Sequence, residues 1–323
     1  MKILFLFPYP SGTAASQRFR FEQYLDDLQA QGIRVDRQAF LDEKTWKILY
    51  QPGHYFQKLA GIVSGFLRRY LLLFRVSKYH YIFIHREGTP LGPPLLEWML
   101  ARVLRKKIIF DFDDAIWLPN TTASNALAAR LKFHQKTTQI IKWSYRVSAG
   151  NTYLANYARK SNPAVVINPT TIDTEHWHNR VKIHREEAKL VIGWTGTHST
   201  LPYLDMLVPV LARLEKEYAF DLLVIANQPP HFSLDSLVFQ AWRKQEEIDD
   251  LLRMHIGLMP LQDDPWAQGK CGFKALQYMA LGIPALASPV GVNTEIINSG
   301  EDGYLCLREE DWERSLRQLL SRS

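Results

Sequence analysis

Residues 266–303, WAQGKCGFKALQYMALGIPALASPVGVNTEIINSGEDG, decide how the chain reads. The stretch opens on a loop rich in glycine and lysine. Lys274 to Ala280 spells a helix, with Gly282 as its stop. IPALAS spells a short buried strand, and GVNTEII a loop running into a further helix. A buried parallel strand flanked by helices sends its loops to one sheet edge, where ligands of α/β folds sit. Gly269, Gly272, Gly291 and Gly303 let backbone N–H groups approach an anion. Lys270 and Lys274 offer countercharge, and Glu295 can accept from hydroxyls. Together these suit a phosphate-bearing sugar. The competing reading is that the glycines only end helices and the lysines are solvated.

The whole pattern GFKALQYMALGIPALASPVGVNTEI resembles the nucleotide-sugar-binding segment of retaining GT-B glycosyltransferases, the glycosyltransferase 4 family, in the form with a K-x-x-Q-Y-M-A helix. The resemblance implies an α/β GT-B fold: two facing Rossmann-like domains with a ligand cleft between them. It implies transfer of a hexosyl residue from a UDP-, GDP- or ADP-linked sugar to a glycan or lipid-linked hydroxyl. The anomeric configuration is retained, and no metal or other cofactor takes part. It assigns donor contacts to Lys270, Cys271, Gly272, Phe273, Lys274 and Gln277, and to Val292, Asn293 and Glu295. Lys274 is the cation expected to stabilise the departing diphosphate.

Two positions depart from the family pattern. Relatives carry a pair of glutamates eight residues apart, where this chain has Gly269 and Gln277. Gln277 can meet ribose hydroxyls only as an uncharged group, and Gly269 only through its backbone. These departures keep two alternatives open. One is a catalytically weak or inactive nucleotide-sugar-binding or assembly protein. The other is a GT-B-like sugar-nucleotide epimerase.

A chain of 323 residues, 46% hydrophobic, is long enough for two cores. Expected boundaries are an N-terminal, acceptor-binding domain over 1–168 and a nucleotide-sugar-binding domain over 169–308. A terminal helix over 309–323 is expected to pack back toward the first domain. Two cysteines make no disulfide framework, and MKILFLFPYP reads as a first strand and not as a signal peptide. The expected location is therefore cytoplasmic, or peripheral at the inner face of the cytoplasmic membrane. The expected state is a monomer or weak homodimer. A net charge of +6 favours anionic partners, but no nucleic-acid-binding motif accompanies it.

KILFLF followed by PYPSGTAAS and a helix from Ser16 to about Gln31 is a Rossmann-like opening without G-x-G-x-x-G. Gly12 and Thr13 are placed to bring backbone donors to the helix mouth, unless Gly12 is only a turn glycine. Arg18, one turn into that helix, points to the ligand or to solvent. Residues 44–86 hold eight Lys or Arg and no Asp or Glu. Within them, residues 54–79 read as a basic amphipathic helix suited to an anionic membrane surface, or as a packed helix whose arginines snorkel.

YIFIHREG is a strand whose exit carries His85, Arg86 and Glu87. His85 resembles the family's cleft histidine, which helps hold the transferred sugar. IIFDFDDAIW ends on Asp111, Asp113 and Asp114. The run superficially suggests a metal-binding D-x-D, but too few ligands converge for that. Asp113 or Asp114 is the candidate to orient the acceptor hydroxyl, and Asp111 a loop cap. A long helix is expected from about Asn125 to Tyr145. His176, His178 and His184 read as part of a solvated linker, since their spacing fits no metal site. LVIGW, the loop TGTHST and a helix from about Thr200 open a second Rossmann-like unit. Gly196, Thr197, His198 and Ser199 at that helix mouth suit a diphosphate. Many relatives place Arg and Lys after this glycine. Here Lys270 or Lys274 must supply the charge.

Overall fold

The computed structural model describes residues 1–49, 51–119, 133–185 and 189–321. The chain divides into two compact units, residues 1–170 and 171–323. Each is built on one parallel sheet. Uninterrupted apolar runs cannot leave one face wet, so they become central strands covered on both sides.

In the first unit the strands are β1 (Lys2–Phe7), β2 (Arg34–Ala39), β3 (Tyr81–His85), β4 (Lys107–Phe112), β5 (Arg146–Ala149) and β6 (Val165–Ile167). Their order is β2-β1-β3-β4-β5-β6, with the polar β2 at one edge. The chain leaves β1 in one direction and returns on its other side as β3. The switch point therefore lies between the carboxyl ends of β1 and β3.

The expected helix from Ser16 to Gln31 is broken. α1 (Ala15–Arg20) stops where Phe21 leaves helical geometry, and α2 (Leu25–Ala30) follows a 3₁₀ turn. Ala14, not Ser16, stands at the N-cap. α3 (Glu43–Leu49) and α4 (Tyr55–Leu72) come next. α4 rests on Gly61 and Gly65, where a β-carbon would lie 2.0 Å from Thr45 and 2.7 Å from the Phe40 carbonyl. α5 (Leu95–Trp98) runs into a π turn over Met99–Val103. α6 (Lys136–Trp143) is the described part of the helix expected from 125, whose residues 125–132 lie outside the described residues. α7 (Thr152–Arg159) is capped as expected, the Leu154 amide donating to Asn151 Oδ1 at 2.9 Å.

α4, expected as a basic amphipathic helix or as a packed helix with snorkelling arginines, turns its two arginines to backbone carbonyls. Arg69 is fully buried and donates to the carbonyls of Phe7, Gln38 and Gly88. Burial pushes its guanidinium down to about 9. Arg68 donates to the Phe40 carbonyl. Both arginines tie the helix inward.

In the second unit the strands are β7 (Leu190–Thr195), β8 (Phe220–Ala226), β9 (Leu237–Ala241), β10 (Ile256–Met259), β11 (Ala285–Ala287) and β12 (Gly303–Leu305). Their order is β12-β11-β10-β7-β8-β9. Counted from β7, this is the 3-2-1-4-5-6 order of dinucleotide-binding sheets, with its switch point between β7 and β10. A 3₁₀ segment, Leu201–Leu207, precedes α8 (Val208–Leu214). α9 (Glu247–Leu252), α10 (Phe273–Ala280), α11 (Asn293–Ile296) and α12 (Glu309–Leu320) complete the unit.

Two further segments pack on this unit, and for the second of them the expectation of a solvated linker is corrected. The terminal helix α12 packs within its own unit. Trp312, Leu316 and Leu320 join the core of β7, β8 and α8, and Arg213 bridges to Glu309 and Glu313. The segment read as a solvated linker lies against the second unit. His178 is buried 3.2 Å from the Gln277 amide nitrogen, Trp177 Nε1 donates to Glu247, and Lys182 Nζ donates to the Leu252 carbonyl.

Candidate functional site

The switch point of the second sheet brings together the loop after β7 and the loop after β10. Trp194, the next-to-last residue of β7, is almost fully buried, and the Lys274 ammonium lies 5.4 Å from its ring centroid. Gly196 follows two residues later. A β-carbon there would sit 2.4 Å from the Trp194 ring, so glycine is required by the indole beneath it. One turn beyond Lys274, the Tyr278 hydroxyl accepts from the Thr195 amide at 3.1 Å and donates to the Leu258 carbonyl. Burial raises the Tyr278 phenol well above its ordinary value. Gly257 leaves the room that the Tyr278 ring fills. The i, i+4 pair Lys274 and Tyr278 thus registers α10 against the end of β7.

The Gly196 loop is tied internally more than its sequence suggests. The Gly196 amide donates to the Ile225 carbonyl, continuing the ladder. The Thr197 amide donates to the Thr200 hydroxyl, and the His198 amide to Asn227 Oδ1 at 2.7 Å. Ser199 Oγ lies 2.8 Å from Thr197 Oγ1. The α-helix begins only at Val208, so the expected helix dipole at this loop is replaced by a 3₁₀ segment. What the loop presents outward is hydroxyl and imidazole. Asn227, at the exit of β8, was not singled out from sequence. Its signal was an Asn directly after a buried strand, FDLLVIAN.

The opening of α10 is built from two packed loops. Gly272 sits at φ +68° at the N-cap, and a β-carbon there would meet Ile296 at 2.4 Å and Asn293 Oδ1 at 3.6 Å. Gly291, at φ +56°, backs onto the Gln268 carbonyl. The motif's two halves, 268–274 and 290–296, therefore pack on each other. Lys270 lies 5.2 Å from the Trp266 ring centroid. Phe273 and Val292 are half-buried, Glu295 is exposed, and Cys271 is buried beside the Gly269 carbonyl.

Several of the expected donor-site residues also make bonds within the fold. Gln277 is buried, its amide nitrogen 3.2 Å from His178 Nε2. Asn293 is buried and donates to the Ser288 carbonyl. Gly303 lies in β12, where a β-carbon would strike the Ala285 carbonyl, so it serves the sheet and not an anion. The Gly269 amide donates to the Trp266 carbonyl.

The carboxyl edge of the first sheet is a lattice of paired charges. Asp111, the next-to-last residue of β4, is fully buried. It accepts from Arg20, from Ser148 Oγ at 2.6 Å and from His85 Nδ1 at 2.8 Å. Burial pushes its carboxyl up, but Arg20 and His85 outweigh that and hold it well below the usual carboxylate range. Arg20 also donates to the Asn168 carbonyl, joining α1 to the strand ends. With His85 Nδ1 on Asp111, Nε2 is the ring's remaining polar atom. It is buried and meets no hydrogen-bond partner among the described residues.

Arg86 donates to Asp113 at 2.9 Å and to Asp114 at 2.5 Å. These carboxylates raise its pKa against the opposing pull of burial. Arg86 holds φ +61°, a strained conformation for a side chain of this size. Lys136 reaches Glu87 at 2.7 Å. Asp111, expected to be a loop cap, is therefore the hub of this edge, and the D-x-D carboxylates face arginines. The Gly12 amide, expected to face an anion, donates to Glu22 at 2.8 Å, and Thr13 Oγ1 donates to the Pro10 carbonyl. Arg18 is buried. Among the described residues no three His, Cys, Asp or Glu side chains converge on one point as metal ligands.

Residues 189–322, within the second unit, match the family described as Glycosyl transferases group 1. No curated protein matches the chain. Solved structures similar to it include sucrose-phosphate synthase from Thermosynechococcus elongatus (TM-score 0.68, 14% identity, covering 99% of this chain and 90% of that one). The catalytic domain of Arabidopsis thaliana starch synthase IV, bound to ADP and acarbose, gives TM-score 0.64 at 12% identity over 99% and 91%. Anabaena HepE with UDP-glucose gives 0.63 at 12% identity over 100% and 90%. At these identities the likeness is one of fold: the chain has the two Rossmann-like units of the GT-B glycosyltransferases.

Proposed function

We propose that this chain is a retaining, metal-independent glycosyltransferase of the glycosyltransferase 4 family. It moves a hexosyl residue from a nucleoside diphosphate sugar to a glycan or lipid-linked hydroxyl. The observation that carries this reading is Lys274 lying over Trp194, beside the Gly196 loop, at the switch point of a nucleotide-type sheet. The family match over 189–322 supports it, as do structural neighbours holding ADP or UDP-glucose.

In the reaction, the bond between the anomeric carbon and the diphosphate oxygen breaks as charge grows on the leaving group. Lys274 and Lys270, with amides at the opening of α10, stabilise that charge. The acceptor oxygen attacks the face the diphosphate leaves, and its proton passes to the departing phosphate. Arginine pairing of Asp113 and Asp114 supports a mechanism in which the acidic run holds no metal. In this reading His85 Nε2 contributes an acceptor lone pair to a sugar hydroxyl once the site opens to it.

Calorimetric titration of UDP, GDP and ADP into wild type and Lys274→Ala tests the assignment. The preferred nucleotide should lose at least about tenfold in affinity, equivalent to about 1.4 kcal/mol. Unchanged affinity for that nucleotide would sink it. Product anomers read by NMR, with and without chelator, test retention and metal independence.

The burial of Gln277 on His178 favours a second reading, because the family's ribose contact at that position is spent on the fold. A protein that binds nucleotide sugars without transferring or hydrolysing them would keep the Lys274 dependence and release no nucleotide.

A further inference from the structure

α4 is inside out. The face it buries is Gly61, Gly65, Arg69 and Leu72, so three of its four inward positions are glycine or arginine. Phe66 also packs inward, edge-on to Phe40, but a second set of large apolar side chains points the other way. Phe56, Leu59, Val63, Leu67 and Leu71, with Phe74 just beyond the helix, are all more than half exposed, Phe56 at 89% and Phe74 at 86%. From Leu59 to Leu71 they recur at every fourth residue, forming a single row. Residues 55–74 extend over about 30 Å at a helical rise. A helix that packs through glycines and offers water its leucines and phenylalanines is built to be covered from outside.

We propose that this row docks on an anionic phospholipid bilayer, with α4 lying in the plane of the headgroups. Charge selects that occupant. Residues 44–86 carry eight basic residues and no acidic one. With Arg68 and Arg69 turned inward, exposed Arg75 and half-buried Lys58 flank the row, and Lys78 beside them shares its charge with Asp36 at 3.7 Å. A second copy of this chain is a poor occupant, because twofold contact would set Lys58 and Arg75 of both copies around one strip with no acid between them. No helix among the described residues is long and apolar enough to span a membrane, so the contact is at the surface.

The placement bears on the acceptor. Arg69 caps the carbonyls of Phe7, Gln38 and Gly88, at the carboxyl ends of β1, β2 and β3. The docking helix is thereby pinned to the sheet edge that carries His85 and Arg86. A lipid-borne hydroxyl held in the same bilayer would be presented beside that edge. This last step rests on the transferase reading. The docking itself does not, and the experiment below uses no sugar substrate.

The test is cosedimentation of the full chain with vesicles of phosphatidylcholine alone and of phosphatidylcholine with phosphatidylglycerol in equal parts. Wild type should partition onto the anionic vesicles and weakly onto the neutral ones. The triple variant Leu59→Gln, Leu67→Gln, Phe74→Gln should lose more than about tenfold in partition, since it removes three apolar anchors. Its thermal transition should be unchanged, because all three side chains are exposed. Arg75→Gln should weaken partition about fivefold, and only on anionic vesicles. Wild type left in the supernatant with anionic vesicles, or a triple variant that binds like wild type, would overturn the proposal. So would a dimer in sedimentation velocity that the triple variant dissolves while neither protein binds vesicles, because that would assign the row to a second copy.

Discussion

At the carboxyl edge of the first sheet, Arg20, Arg86 and Lys136 each lie against a carboxylate and hold strand ends together. At the corresponding edge of the second sheet, Lys270 and Lys274 lie over the indole rings of Trp266 and Trp194, beside glycines and exposed hydroxyls. Both edges are switch points of parallel sheets, yet one uses its charge to close itself and the other sets its cations on aromatic platforms. A buried pair satisfies its own field, so removing one partner strands the other. A cation over an indole adds a favourable contact with the ring face. The same sheet edge therefore supports a rigid wall in one unit and, in the function proposed above, a ligand grip in the other.

Substitutions at the first edge should register mainly in stability, and those of the second edge's lysine and loop side chains mainly in binding and turnover. The largest effect is expected from Asp111→Asn, which leaves Arg20 buried without its carboxylate. The first unit should lose about 3–5 kcal/mol, read from urea unfolding. The sign with pH follows from the depressed carboxyl. Its contribution is full above the unfolded aspartate value of about 3.9 and fades as pH falls through and below it. The variant's unfolding curve should be correspondingly flatter in acid.

Next comes Lys274→Ala, expected to lower kcat by about 10²–10³ with little change in thermal midpoint. A lowered thermal midpoint with unchanged nucleotide affinity would erase the contrast between the two edges. Gly196→Ala drives a methyl group into Trp194 and should destabilise the second unit by about 1–3 kcal/mol. Combining it with Trp194→Phe should recover part of that loss, since the phenyl ring vacates the clashing volume. The smallest effect is expected from Asn227→Ala. It removes the side chain holding His198 and should cost about 0.5–1.5 kcal/mol, seen as a several-fold rise in donor KM.

Legibility from sequence followed the range of the interactions. KILFLF, YIFIH and FDLLVIA announced central strands, because an unbroken apolar run has no wet face to offer. Asn151 announced the cap of α7, because that bond spans three residues. The break at Phe21 was not readable, because α1 is shaped by the tie of Arg20 to Asp111, 91 residues away. Asp111 looked like the least important acid of its run for the same reason. Trp194 and Asn227 escaped notice because an indole under a lysine and an amide over a loop acquire their roles only when β7, β8 and α10 meet.

The sequence by itself determined two parallel α/β units, the lysine-bearing helix of residues 273–280 and the glycines around it, since periodicity and backbone freedom are local properties. Tertiary structure alone decided which of those groups face outward. It turned Arg69 and Gln277 inward, consumed the amides of Gly12 and Gly196, and left Leu59, Leu67 and Leu71 of α4 on the surface. Side-chain direction depends on what lies across the packing interface, and one chain position carries no record of its distant neighbours.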